Sequence, residues 1–208
     1  TCGFVDVSDG ERGLAVANVG LPEYEVLDRP HGPVIAQTLL RSVGWLSRED
    51  LVTRPCNAGP RVETPEAQCL GPQAFRYAVI PHPGDWEEAR IWEEAHALRY
   101  PLLGRTVDFH EGELSAEDLC MFEIEPQELV VSALKKAERE DALVLRLYNI
   151  SRQDVIGRLG SRRPLVAARL ANLNEEPLPN GSLEISDEHG IEFPARPSQI
   201  VTLLLELG

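Results

Sequence analysis

The stretch least explained by folding alone runs Leu39-Leu40-Arg41-Ser42-Val43-Gly44-Trp45-Leu46-Ser47-Arg48-Glu49-Asp50-Leu51-Val52-Thr53-Arg54-Pro55-Cys56-Asn57-Ala58-Gly59-Pro60. It carries three arginines, two acids, an amide and a tryptophan. That mix holds hydroxyl-rich ligands through forked hydrogen bonds and ring stacking. The same residues also describe a solvated loop pinned by Trp45 and an Arg–Asp pair, so composition alone leaves both readings open. Arg54 stands before Pro55, which biases it toward an extended conformation able to project outward.

Other chemistry is harder to find. There is no G-x-S-x-G, H-E-x-x-H, P-loop or G-x-G-x-x-G run, and the five histidines at 31, 82, 96, 110 and 189 have no spacing for a local metal site. His82 follows a strand-like run and is read as bonding nearby backbone rather than as a ligand. His96 is read as a partly buried packing residue of a helix. Acids are so abundant that a glycosidase-like carboxylate pair could be drawn almost anywhere, and the abundance therefore selects none.

These residues must be positioned by strands. Short β-type runs, bounded by Gly, Pro, Asp or Asn, occur at Phe4–Val7, Gly13–Ala17, Tyr24–Leu27, Val34–Leu40 and Phe75–Ile80. Further on, Leu143, Leu145 and Leu147 alternate with Val144, Arg146 and Tyr148, and Val201, Leu203, Leu205 and Leu207 alternate similarly. Such period-2 runs predict strands with one buried face. Glu138–Asp141 reads as the polar tip of a hairpin joining Leu129–Leu134 to Ala142–Leu145, and Asn180-Gly181 and His189-Gly190 as turns. The polar run Asn172–Asp187 reads as a long loop with one short strand.

One segment breaks this rhythm. Asp85–Leu98 is rich in helix formers, with Asp85 as N-cap, Glu88 at the capping-box position, and Trp92, Ala95, Leu98 and Ile91 on one face. Tyr100–Glu117 mixes Pro, Gly and charge without period, so the chain is divided near residue 112. The expectation is an all-β chain with one helix near 85–98, residues 1–112 as one module and 113–208 as a second.

The chain has 208 residues, enough for a sizeable core in one large domain or two small ones, and a net charge of −14. The charge repels nucleic acid and anionic lipid, and no stretch approaches the length of a membrane span, so neither is an expected partner. Four cysteines without C-x-x-C spacing favour free thiols in a reducing, cytoplasmic compartment over two disulfides, although the even count leaves pairing open. An opening Thr1-Cys2-Gly3 without initiator Met suggests a piece of something longer, and it lacks the pattern of a secretory leader.

Several runs carry a family resemblance. Gly13-Leu14-Ala15-Val16-Ala17-Asn18 with Leu21-Pro22-Glu23-Tyr24-Glu25-Val26, then Thr38-Leu39-Leu40-Arg41-Ser42, Thr64-Pro65-Glu66-Ala67-Gln68 and Phe75-Arg76-Tyr77-Ala78-Val79-Ile80-Pro81-His82 resemble the C-terminal β region of glycoside hydrolase family 38, the α-mannosidases. Val131-Ser132-Ala133-Leu134-Lys135-Lys136-Ala137-Glu138 and Leu145-Arg146-Leu147-Tyr148-Asn149 are similar to that family's terminal sandwich.

The resemblance implies that residues 1–112 form the closing half of a galactose-mutarotase-like β-supersandwich and 113–208 a smaller antiparallel sandwich. It implies a longer parent whose N-terminal catalytic domain carries zinc and a nucleophilic Asp, and which cleaves α-mannosides with retention. No catalytic residue, metal ligand or cofactor is expected in this chain, which alone should be inactive. The segment from Arg41 to Gly59 matches by position a loop that reaches the active-site rim in relatives, making Arg41, Asp50, Arg54 and Asn57 the candidate substrate-binding residues. In place of the Asp-Asn-Arg-Gly run of Golgi and lysosomal enzymes stands Asp50-Leu51-Val52-Thr53-Arg54-Pro55, closer to bacterial relatives such as mannosylglycerate hydrolases. The expected partners are the parent's own catalytic domain and the mannoside, with homo-oligomerisation left open. Two rival readings are a stand-alone lectin-like module, which would need a cluster of exposed aromatics on one sheet, and a purely structural interaction domain.

Overall fold

The structure is a computed structural model that describes residues 3–109, 111 and 120–208. It divides into two compact units, Thr1–Thr106 and Val107–Gly208. The boundary read at 112 and 113 lies outside the described residues. Within the expected junction, residues 101–109 and 111 carry no helix or strand. Among the described residues no helix is long and apolar enough to cross a membrane.

In the first unit β1 (Phe4–Ser8), β2 (Arg12–Val19) and β5 (Arg76–Pro83) form an antiparallel sheet in the order β1-β2-β5, while β3 (Tyr24–Leu27) and β4 (Val34–Gln37) form a separate antiparallel pair. Its core is modest. Val5, Ala15, Val16, Ala17 and Leu21 are buried with Ile91, Trp92 and Ala95 of the single helix α1 (Ile91–Arg99), which packs on β1 and β2.

The helix starts five residues later than the run of helix formers predicts. Asp85 does cap, its Oδ1 accepting the Glu87 and Glu88 N–H groups at 2.9 Å, but what it caps is a turn. Arg90, at φ 53°, then breaks the path before the helix begins. Left-handed backbone is costly for a non-glycine residue and needs support around it. The break lets Trp86 meet both Phe4 (5.9 Å) and Trp92 (6.0 Å), and Arg90 pairs with Glu93. His96 is half-buried against Tyr100, as read, and desolvation then Arg99 push its imidazole below the ordinary value.

His82 lies within β5 rather than after it. Its Nδ1 faces the Pro83 carbonyl at 3.2 Å, the backbone contact expected, but its Nε2 crosses β2 to the Asp6 carboxylate of β1 at 2.7 Å, with both side chains buried. Gly13, the cross-strand partner of His82, provides the path: a Cβ there would stand 2.2 Å from the ring. Both ring nitrogens therefore lie within hydrogen-bonding distance of an oxygen.

The second unit is a two-sheet sandwich. One sheet runs β11 (Pro177–Ser182), β10 (Leu165–Ala171), β14 (Ile200–Leu207), β8 (Leu143–Asn149), β7 (Leu129–Lys136). The other runs β12 (Ile185–Ser186), β13 (Gly190–Ala195), β9 (Val155–Ser161), β6 (Phe122–Glu125). Leu145, Leu147, Leu203 and Leu205 of the first sheet meet Leu159, Ile191 and Phe193 of the second in one core. The hairpin from β7 to β8 turns at the predicted residues, and His189-Gly190 closes the β12–β13 hairpin. Asn180-Gly181 is not a turn between elements. It kinks β11, with Asn180 at φ 58° and the register against β10 shifting there, and the run Asn172–Asp187 holds two short strands rather than one.

Alternation predicts one buried face for β8 and β14, yet both are covered. Val144 and Leu204 are fully buried on the side away from Leu145 and Leu203, in a second cluster with Ala137, Ala142 and Ala171. The β10–β11 loop is tied to this side of the sheet. Glu175 accepts from Lys135 Nζ at 2.7 Å and from the Glu138 N–H at 2.8 Å, Arg146 donates to the Leu173 carbonyl, and Arg139 pairs with Glu176.

This latch is expected to be sensitive to acid. The Lys135 hydrogen bond, then the Glu138 N–H, hold the Glu175 carboxyl below the ordinary glutamate value. A depressed folded-state pKa contributes stability above the unfolded pKa, about 4.3 for Glu, and that stability is lost as pH falls through the folded value. Thermal melts at pH 7, 4 and 3 should show the wild-type chain losing more stability below about pH 4.3 than Glu175→Gln; equal acid slopes would remove Glu175 from the account.

Candidate functional site

The loop between β4 and β5 is folded, although it holds no regular strand. Its two arms ladder irregularly: Val43 N–H to the Ala67 carbonyl, Thr64 N–H to Gly44, Leu46 N–H to Val62, and a bridge between Trp45 and Glu63. A 3-10 turn at Pro65–Gln68 follows. Beyond this neck, buried Ser47 closes the tip, its Oγ accepting the Ala58 N–H at 3.0 Å and lying 3.4 Å from Asn57 Oδ1. A smaller turn inside the tip has Arg54 N–H donating to the Leu51 carbonyl at 3.1 Å.

The four candidate residues do not converge. Arg41 sits at the neck and pairs with Glu23 at 3.2 Å. Asp50 is gripped by Arg48, whose Nε donates to Oδ1 at 2.8 Å while Nη2 reaches Oδ2. This fork holds the Asp50 carboxyl below the usual carboxylate range. Asn57 makes long contacts to Ser47 and Glu49, both at 3.4 Å. Arg54 is exposed, and among the described residues its guanidinium has no hydrogen-bond or ion-pair partner.

Of these four, only Asp50 lines the concavity that the loop does build. That hollow, of about 300 Å³, is bounded by Trp45, Arg48, Glu49, Asp50 and Arg61. Arg61 lies over the Trp45 ring, 5.8 Å from its centroid, and pairs with Glu49 at 3.2 Å. Trp45, Arg48 and Glu49 stood in the run singled out by composition; Arg61 lies one residue past its end, and no spacing rule pointed to it. A second, larger groove of about 1030 Å³ lies on the first unit, where Leu14, Val34, Ile35 and Val79 present apolar side chains above His82.

An antiparallel sandwich preceded by a smaller antiparallel sheet, an isolated hairpin pair and one helix narrows the class. Residues 128–203 match the glycosyl hydrolases family 38 C-terminal beta sandwich domain, and the chain belongs to the C-terminal β region of that family. Mouse alpha-mannosidase 2C1 is 31% identical over 207 residues, covering 98% of this chain and 17% of the mouse protein. A Halalkalibacterium halodurans protein, provisionally named mannosylglycerate hydrolase, is 30% identical over 203 residues, covering 98% of this chain and 20% of its own length. The solved alpha-mannosidase from Enterococcus faecalis V583 superposes with a TM-score of 0.76 at 31% identity, over 98% of this chain and 21% of that one. The chain thus spans about a fifth of the length of its relatives.

Proposed function

We propose that this chain is the C-terminal, non-catalytic β region of a retaining, zinc-dependent glycosidase that cleaves α-mannosides. It packs on the parent's N-terminal catalytic domain and lends the loop from Arg41 to Gly59 to the active-site rim. Zinc belongs to that catalytic domain; among the described residues here no three His, Cys, Asp or Glu side chains converge to hold a metal, so they do not fit it. The contribution of this chain is shape and hydrogen bonding. A reducing, cytoplasmic setting belongs to the same reading.

The observation that carries the rim assignment is the state of Arg54. Its obvious surface partner, Asp50, is occupied by Arg48, so the guanidinium remains available for sugar hydroxyls. Apolar Leu14, Val34 and Val79, exposed on the first unit, support a packing surface there, since large exposed apolar patches mark contacts. The test is kinetic. In the full-length enzyme Arg54→Ala should lower kcat/KM for an aryl α-mannoside about tenfold or more, the loss of a charge-assisted contact of about 1.5–3 kcal/mol, with the melting temperature nearly unchanged. Kinetics equal to wild type would return Arg54 to the solvated surface.

A further inference from the structure

We propose that the hollow bounded by Trp45, Arg48, Glu49, Asp50 and Arg61 is a subsite for a neutral, vicinally hydroxylated group of the substrate, a second sugar beyond the mannose that is released. This rests on the rim assignment of the loop. The hollow has the size of a small-ligand site, about 300 Å³. Its chemistry selects the ligand class. Two arginines and two acids stand there as two closed pairs, Arg48 with Asp50 and Arg61 with Glu49, so the lining has no net charge. An anion entering would meet two carboxylates, and a cation two guanidinium groups. A hydroxyl both donates and accepts, and adjacent hydroxyls can bridge an N–H of one partner and a carboxylate oxygen of the other. Each pair retains donors and lone pairs beyond those its partner uses, and all four charged side chains are half exposed or more.

The polar groups are also held in place before a ligand arrives. Arg48 and Asp50 fix each other through two parallel bonds. Arg61 is fixed by stacking on Trp45 and by Glu49, and Trp45 is anchored by its bridge to Glu63. Preorganised side chains lose little freedom on binding, which is where a small polar site otherwise forfeits affinity.

The experiment uses the full-length enzyme and two probes, an aryl α-mannoside without a second sugar and an α-linked mannotriose. The readout is the ratio of kcat/KM for mannotriose to that for the aryl mannoside. Arg48→Ala should reduce this ratio about tenfold, and Arg48→Lys, which keeps charge but loses the fork, should reduce it similarly. Trp45→Phe, which keeps an aromatic wall, should reduce it less. Arg54→Ala reports separately on the rim assignment. If Arg54→Ala lowers kcat/KM for both probes while both Arg48 variants leave the ratio at its wild-type value, the subsite is wrong and the rim assignment stands. If neither Arg54→Ala nor Arg48→Ala changes either probe, the rim assignment has failed and the subsite with it.

Discussion

Phe193→Ala is expected to lower the unfolding free energy of the sandwich unit by about 3–5 kcal/mol, a large fraction of the stability a unit of this size commands. Phe193 is 1% exposed and lies directly across from Gly157, with Leu129 of the facing sheet completing the contact. The ring occupies the space that a side chain at 157 would take: an added Cβ would stand 2.5 Å from the Phe193 ring and 2.7 Å from Leu129 Cδ1. Gly157→Val should therefore also destabilise, by about 1–3 kcal/mol through overpacking. The two changes are coupled with opposite sign, one leaving a hole and the other filling it. In chemical denaturation of the 208-residue chain the double variant should be more stable than the sum of the single losses predicts. Strict additivity would show that Gly157 and Phe193 do not share one packing space.

The second large effect belongs to the first unit. Asp6→Ala removes the hydrogen-bond partner of the buried His82 Nε2, and leaving a buried polar group unsatisfied costs about 1–3 kcal/mol. Asp6→Asn keeps an acceptor and should cost less. Gly13→Ala should approach the Asp6→Ala loss, because the new Cβ would lie 2.2 Å from the imidazole and 2.9 Å from Ser8 Cβ, so the ring cannot keep its 2.7 Å contact with Asp6. Thermal unfolding of the four chains orders them. A Gly13→Ala chain as stable as wild type would mean that the imidazole reaches Asp6 by another path.

Much of the fold was legible because burial and period coincide along most strands. Leu145, Leu147, Leu203 and Leu205 announce β8 and β14, and the polar tip between β7 and β8 marks itself. What stayed hidden has local causes. β9 contains Gly157 and Gly160, residues that weaken a strand reading, and Gly157 is required by a ring thirty-six positions away. The helix start was masked because Arg90 adopts a left-handed backbone among good helix formers, a choice made by the packing of Trp86 rather than by propensity. In the loop, composition identified the right segment but not the pairing. Arg48 and Arg54 are both within four residues of Asp50, and the turn from Leu51 to Arg54 accompanies the choice of Arg48. Arg61 was invisible because its role depends on the returning arm folding over Trp45.

The outer strands of the sandwich carry a consequence for how the chain associates. Among the described residues, the outermost strand of one sheet is β12, with only two residues, and its opposite, β6, has four. On the other sheet β11 contains Pro177 and Pro179 and slips register, while β7 slips between Val131 and Ala133 and ends in Lys135-Lys136. Short length, proline, bulging and lysine each deny an incoming strand a straight row of backbone partners. Sheet extension, the route by which β proteins polymerise into fibrils, is therefore closed at every described border of this unit.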